Sequence, residues 1–259
     1  MILNVLALTL LILLTIISFY MIKKDYLSNE KILKGIALFL LIYKSIDVLS
    51  GMVVGKYTKY PVEFSAVFYF FFPIVILTNK KELLGAATTG AFISGLGYLV
   101  TLVFNINNMV NTHKALNIMP GFILGMLSHS ILYFLSVLYM TKYKFNYRDE
   151  VLKINIITFI IAIHALFMAN FIDYEGTYRF IYLLLSADAI PFFQSSIVLM
   201  IIYYPFVLII YNLAIIFFYR VNKFLYNSYN QKKIYGAEEH YVWCSFFLFM
   251  YCVMHNSSV

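Results

Sequence analysis

Charge is scarce in this chain. Asp, Glu, Lys and Arg together make up 12% of its 259 residues, roughly half the share found in soluble domains. Hydrophobic residues account for 63%, and the mean hydropathy is +0.84. That balance leaves no room for a separate soluble domain. The chain has no phosphate-binding loop, zinc signature or dinucleotide fingerprint, and no convincing repeat or low-complexity tract. The soluble enzyme classes that carry such motifs are set aside, and neither a metal nor a cofactor is expected. A cleaved signal peptide is not expected either. No basic residue precedes the first apolar run, the run is too long, and "SFYMIKK" offers no small-residue cleavage site.

What stands in their place is a succession of apolar runs of about 20 residues, each sufficient to cross a ~30 Å hydrocarbon layer at ~1.5 Å per residue. They fall at 2–22, 34–55, 61–78, 83–104, 120–141, 151–172 and 195–219. The expected fold is therefore all-α, a polytopic membrane helix bundle of about seven transmembrane helices over residues 1–219. A tail follows over 220–259. It contains a short apolar segment, 240–255, which is read as interfacial or packed and not as an eighth span.

Most of the 19 cations lie on one side of this topology: Lys23, Lys24, Lys31 and Lys34, then Lys80 and Lys81, then Lys142, Lys144, Arg148 and Lys153, then Arg220, Lys223, Lys232 and Lys233. The other side has Lys56, Lys59, Lys114 and Arg179. The positive-inside rule then puts the N-terminus outside and the tail in the cytoplasm of a multi-pass cell-membrane protein. The tail holds both cysteines, Cys244 and Cys252, on a reducing side where no disulfide is expected. The net charge of +7 is spread over membrane-flanking loops, which speaks against nucleic acid as a partner. Membrane lipids are the expected partners, with anionic inner-leaflet lipid attracted to the basic side, and a membrane protein partner stays open.

Ionisable groups inside a membrane are costly, so the few that occur are candidates for a site. They are Lys44, Asp47, Glu63, His129 and His164. Lys44 and Asp47, three apart, share one face of the second span and read as an internal ion pair or as part of a substrate or ion pocket. Gly121, Gly125 and His129 recur at four-residue steps, with Tyr133 and Ser136 extending the row, so another helix can approach there and the imidazole is expected to point inward. His164 falls nearly opposite the small and polar stripe of its span, formed by Asn155, Thr158, Ala162, Ala165 and Ala169, and reads as a second-interface residue. Pro61 followed by Glu63 reads as a helix start, with the carboxylate near free N–H groups at the positive helix end. Ser65 then points toward the bundle. With Asn170, Asp173 and Arg179 closing the sixth span on the same side, these residues outline a polar pocket open to the outer leaflet.

The landmarks "PVEFSAVFYFFFPIVILTNKKELL", "SHSILYFLSVLYM" and "ANFIDYEGTYRFIY", in that order over roughly residues 35–215, resemble the YwaF-like bacterial integral membrane proteins. That family is distantly similar to an animal multispanning acyltransferase of ether phospholipids. Its third span reads Pro, any residue, His or Glu, any residue, Cys, and its fifth carries Ser-His. The matching residues here are Pro61, Glu63, Ser65, Ser128 and His129, with a serine at the cysteine position. The Gly176–Tyr182 run lacks the family's Asn, and the family's Trp-containing segment is not evident in "ADAIPFFQSS".

The resemblance implies acyl transfer or hydrolysis on a membrane lipid. Ser65 would be the nucleophile, His129 the base that a hydroxyl requires, and Glu63 or Asp47 an orienting or charge-stabilising group. A transport reading uses Lys44, Asp47, Glu63 and His129 as a solute or proton site. A third reading is non-catalytic, a membrane partner or assembly subunit whose polar residues hold helices together.

Overall fold

The computed structural model describes residues 2–53, 61, 63–115, 119–169 and 197–235. Among these are seven α-helices and no strand: α1 (Ile2–Lys23), α2 (Glu30–Val53), α3 (Phe64–Leu77), α4 (Lys81–Ala115), α5 (Met119–Lys142), α6 (Tyr147–Ala169) and α7 (Ile197–Tyr235). Each lies on one of the seven expected spans. All but α3 are long and apolar enough to cross a membrane, so the chain is a multi-pass, all-α bundle. At 14 residues, α3 covers only about 21 Å. It is shorter than the expected 61–78 because Glu63 is still extended (φ −72°, ψ 152°) and Phe64 is the first helical residue.

Short polar signals end and begin the helices. Asn79, at φ 54°, closes α3 in the left-handed conformation that Asn tolerates. Its N–H bonds the Ile76 carbonyl at 3.3 Å, and the Lys80 N–H bonds the Val75 carbonyl at 3.2 Å. This pair of bonds satisfies carbonyls left open at a helix end and turns the chain directly into α4. Asn29 caps α2 by accepting the Lys31 N–H at 3.1 Å. Asn146 does the same for α6 through the Arg148 N–H at 3.2 Å. No Pro or Gly interrupts "YRVNKFLYNSYNQKK", so α7 runs through Arg220 to Tyr235, across the expected bundle–tail boundary at 219. Segment 240–255, with Cys244 and Cys252, lies outside the described residues.

The two central helices are α4 and α5, with 56% of their membrane-span residues buried, against 17–22% in α1, α2, α6 and α7. The outer helices turn apolar side chains outward; Leu152, Phe159, Ile163 and Phe167 of α6 are all exposed, as lipid-facing residues are. Where α4 meets α5 closely, a Cβ built on Gly95 would stand 2.5 Å from the Tyr133 backbone nitrogen. The glycine row expected to admit a neighbour on α5 does not make this contact. Among the described residues, a Cβ on Gly121 would meet nothing within 4 Å, and one on Gly125 only the Tyr98 hydroxyl at 3.7 Å.

Two polar clasps hold the outer helices to this pair. Glu150 of α6 accepts the Ala86 N–H at 3.0 Å, while Lys153 donates to the Glu82 carbonyl at 2.7 Å and to Glu150 at 2.9 Å. Side chains of α6 thus partner both backbone groups that would close one turn of α4. Gly85 makes room, since a Cβ there would lie 2.6 Å from the Glu150 side chain. Asn222 of α7, 1% exposed, forms the second clasp. It accepts the Phe145 N–H at 3.0 Å and donates to the carbonyls of Met140 and Tyr143, each at 2.7 Å. Asn222→Ala would strand three backbone groups, so it should lower stability by about 1–3 kcal/mol. Thermal unfolding in detergent checks this, and an unshifted midpoint would mean that water replaces the amide.

Candidate functional site

Four helices deliver polar side chains to one place. Residue Glu63, beside the start of α3, is half-buried. Its carbonyl accepts the Val67 N–H at 3.0 Å, but its carboxylate does not bond the helix end as the capping expectation required. Its extended backbone is the usual geometry of a helix-start residue, so the side chain alone departs from the capping expectation. Ser65, also half-buried, lies one helical turn before Tyr69 on the same face of α3.

Tyr69 is the residue that reaches His129. Its hydroxyl stands 2.6 Å from His129 Nε2, and the Ser94 carbonyl of α4 lies 3.0 Å from Nδ1. A carbonyl only accepts, so Nδ1 carries the proton of the neutral imidazole and Nε2 takes the hydrogen bond that Tyr69 donates. Tyr98, one turn after Ser94, stacks flat on the imidazole with ring centroids 3.9 Å apart and planes 6° apart. The close approach at Gly95 brings this stretch of α4 against α5, so the orientation of His129 depends on that glycine. Ser94 Oγ is buried and has no hydrogen-bond partner among the described residues.

Beside the Tyr69–His129 pair lies the ion pair of α2. Lys44 Nζ is 2.8 Å from Asp47 Oδ2, and both residues are buried. The same ammonium sits 4.6 Å from the Tyr69 ring centroid and 5.6 Å from that of Tyr43, within the range of cation–π attraction. Tyr43 in turn donates to the Leu124 carbonyl of α5 at 3.0 Å, which ties the ion pair to the helix that carries His129.

Lys44, with its partner Asp47, and His129 therefore meet at Tyr69, which sequence reasoning passed over, while Ser65 lies one turn earlier on the same helix and Glu63 at its start. The only signal for Tyr69 is the four-residue step from Ser65. Tyr98 carries the same kind of signal, four residues after Ser94 in a glycine-rich stretch. His164 is half-buried on α6, whose inward face holds Ile154, Ile161 and Ala165. Asn170, Asp173 and Arg179 lie outside the described residues. Among the described residues, no three His, Cys, Asp or Glu side chains come together as a metal-ligand set.

The arrangement has the parts of an activated hydroxyl: an O–H donating to a histidine nitrogen, and the other nitrogen anchored by a fixed acceptor. No protein-family model, curated protein or solved structure matches the chain.

Proposed function

We propose that this multi-pass membrane protein carries out acyl transfer or hydrolysis on a membrane lipid, with Ser65 as nucleophile and His129 as base acting through Tyr69. The observation that supports it is the Tyr69–His129 hydrogen bond, anchored on the Ser94 carbonyl, with Ser65 one helical turn before Tyr69 on the same face of α3. Ser65 is the most accessible of the three, while Tyr69 and His129 are buried. The resemblance to YwaF-like proteins at Pro61, Glu63, Ser65, Ser128 and His129 points to the same chemistry.

In this reading Ser65 Oγ bonds to the acyl carbon of the lipid. Its proton passes to the Tyr69 oxygen as the Tyr69 proton passes to His129 Nε2, and the Ser94 carbonyl holds the imidazolium through Nδ1–H. Asp47 neutralises Lys44, so the new positive charge does not face a bare cation. The departing lipid oxygen recovers the proton along the same line. An acceptor hydroxyl or water then releases the acyl group from Ser65.

The test uses purified protein in defined phospholipid vesicles, with acyl-chain composition followed by mass spectrometry. Ser65→Ala should abolish turnover while folding as wild type, and Tyr69→Phe and His129→Ala should each lower turnover per folded molecule at least about 100-fold. Full turnover in Ser65→Ala alongside loss in Tyr69→Phe would make Tyr69 the nucleophile. A fully active Tyr69→Phe with an inactive His129→Ala would mean direct Ser65–His129 contact. The closed Lys44–Asp47 pair favours a second reading, a non-catalytic subunit whose polar cluster joins helices for a membrane partner. Absence of turnover in wild type across a broad lipid panel would leave that reading in place.

The cation distribution supports an external N-terminus and a cytoplasmic end of α7. A reporter inserted between Ala115 and Met119 should read as external and one fused after Tyr235 as cytoplasmic. The reverse pattern would overturn the orientation, and with it a site served from the outer leaflet.

A further inference from the structure

The turn between α5 and α6 and the second half of α7 enclose an open notch of about 570 Å³. Lys144 lines it from the turn. Arg220 and Lys223, three apart on one face of α7, line it from the other side, with Tyr219, Asn146 and Ile216, and no lining side chain is acidic. The three cations are exposed, and among the described residues none of them forms an ion pair. Like charges gathered in one concavity repel each other and raise the local concentration of anions.

The notch has a fixed wall. Asn222 bonds the Phe145 N–H and the Met140 and Tyr143 carbonyls, so the residues on both sides of Lys144 are clamped to α7. Asn146 is held in turn by its bonds to Asp149 and to the Arg148 N–H. The notch also opens where the apolar surface ends. Ile209, Ile210 and Leu213 of α7 are exposed, Ile216 lies in the notch, and Arg220 is the first charge after them.

We propose that this notch binds the phosphate of a membrane phospholipid of net negative charge. Lys144, Arg220 and Lys223 surround the phosphate, and the acyl chains descend past Ile216 along the exposed face of α7. Arginine pairs two phosphate oxygens through its planar fork, and basic pockets at helix ends on the cytoplasmic side suit such headgroups. The absence of an acid from the lining leaves a zwitterionic headgroup's ammonium without a partner. The proposal does not depend on chemistry at Ser65, and the test below does not depend on orientation.

Native mass spectrometry of the full chain in neutral detergent, where no charged surface adds to the attraction, reads bound lipid directly. With added phosphatidylglycerol, wild type should retain one tightly held molecule, and with phosphatidylcholine none. The triple variant K144Q/R220Q/K223Q should bind phosphatidylglycerol on the order of 100-fold more weakly. The control K23Q/K24Q/K31Q, which removes three cations elsewhere, should change binding less than about 3-fold. The charge-conserving K144R/R220K/K223R should retain the lipid and shows that loss in the glutamine variant is not misfolding. Equal weakening by the two glutamine variants, or equal retention of phosphatidylcholine, would overturn the proposal. Displacement by inorganic phosphate at concentrations matching the lipid would reassign the notch to a free anion.

Discussion

Methionine in place of Lys44 should lower the stability of the folded bundle by about 3–5 kcal/mol, because it removes the ammonium 2.8 Å from the buried Asp47 carboxylate. The pair is local, 2.8 Å long, and enclosed by α3 and α5, where the Tyr69 ring faces the ammonium. Asp47→Asn should cost a similar amount by removing the carboxylate beside the Lys44 ammonium. The double variant K44M/D47N removes both charges with little change in volume and should recover much of the loss, since no buried charge is then left uncompensated. Thermal unfolding in detergent, with folded yield by size exclusion, measures all three. If each single variant folds normally while a solute uptake measured in wild-type vesicles disappears, the pair is a transport site and not a structural tie.

Gly95→Val should separate α4 from α5 at a cost of about 3 kcal/mol or more, at the upper end for overpacking. Its first added carbon would stand 2.5 Å from backbone at Tyr133, and backbone cannot rotate aside as a side chain can. The displacement also moves the Ser94 carbonyl from His129, so any lipid turnover should vanish along with stability. Gly97→Ala provides the contrast. Among the described residues a Cβ there meets nothing within 4 Å, so the change should stabilise by about 0.5–1 kcal/mol through helix propensity alone. Equal effects at both positions would mean that the helix crossing is looser than the contact at Tyr133 implies.

The two glycines show where reading a sequence stops. Each sits in "SGLGYLV" with nothing to mark one as the crossing point, because the difference lies in a residue on another helix. The helices themselves were legible, since an apolar run and its flanking charges are properties of adjacent residues. So was the Lys44–Asp47 pair, whose members lie within one helical turn. Tyr69 was not legible: it is one of 23 tyrosines, and its partner His129 is 60 positions away. Lys153 counted only as a membrane-flanking cation, and Asn222 lay in what read as a tail. Their roles come from backbone groups on other helices, which no spacing rule addresses.

The clasp of Glu150 and Lys153 on α4 has a consequence for how the protein is made. The Ala86 N–H bonds a carboxylate 64 positions further along the chain. At about 5–20 residues per second, the ribosome takes roughly 3–13 s to reach Glu150 after Ala86. For that time the Ala86 N–H and the Glu82 carbonyl are without their α6 side-chain contacts. The turn of α4 that receives Glu150 is therefore synthesised before its partner, and its contacts to Glu150 and Lys153 can form only once α6 has followed.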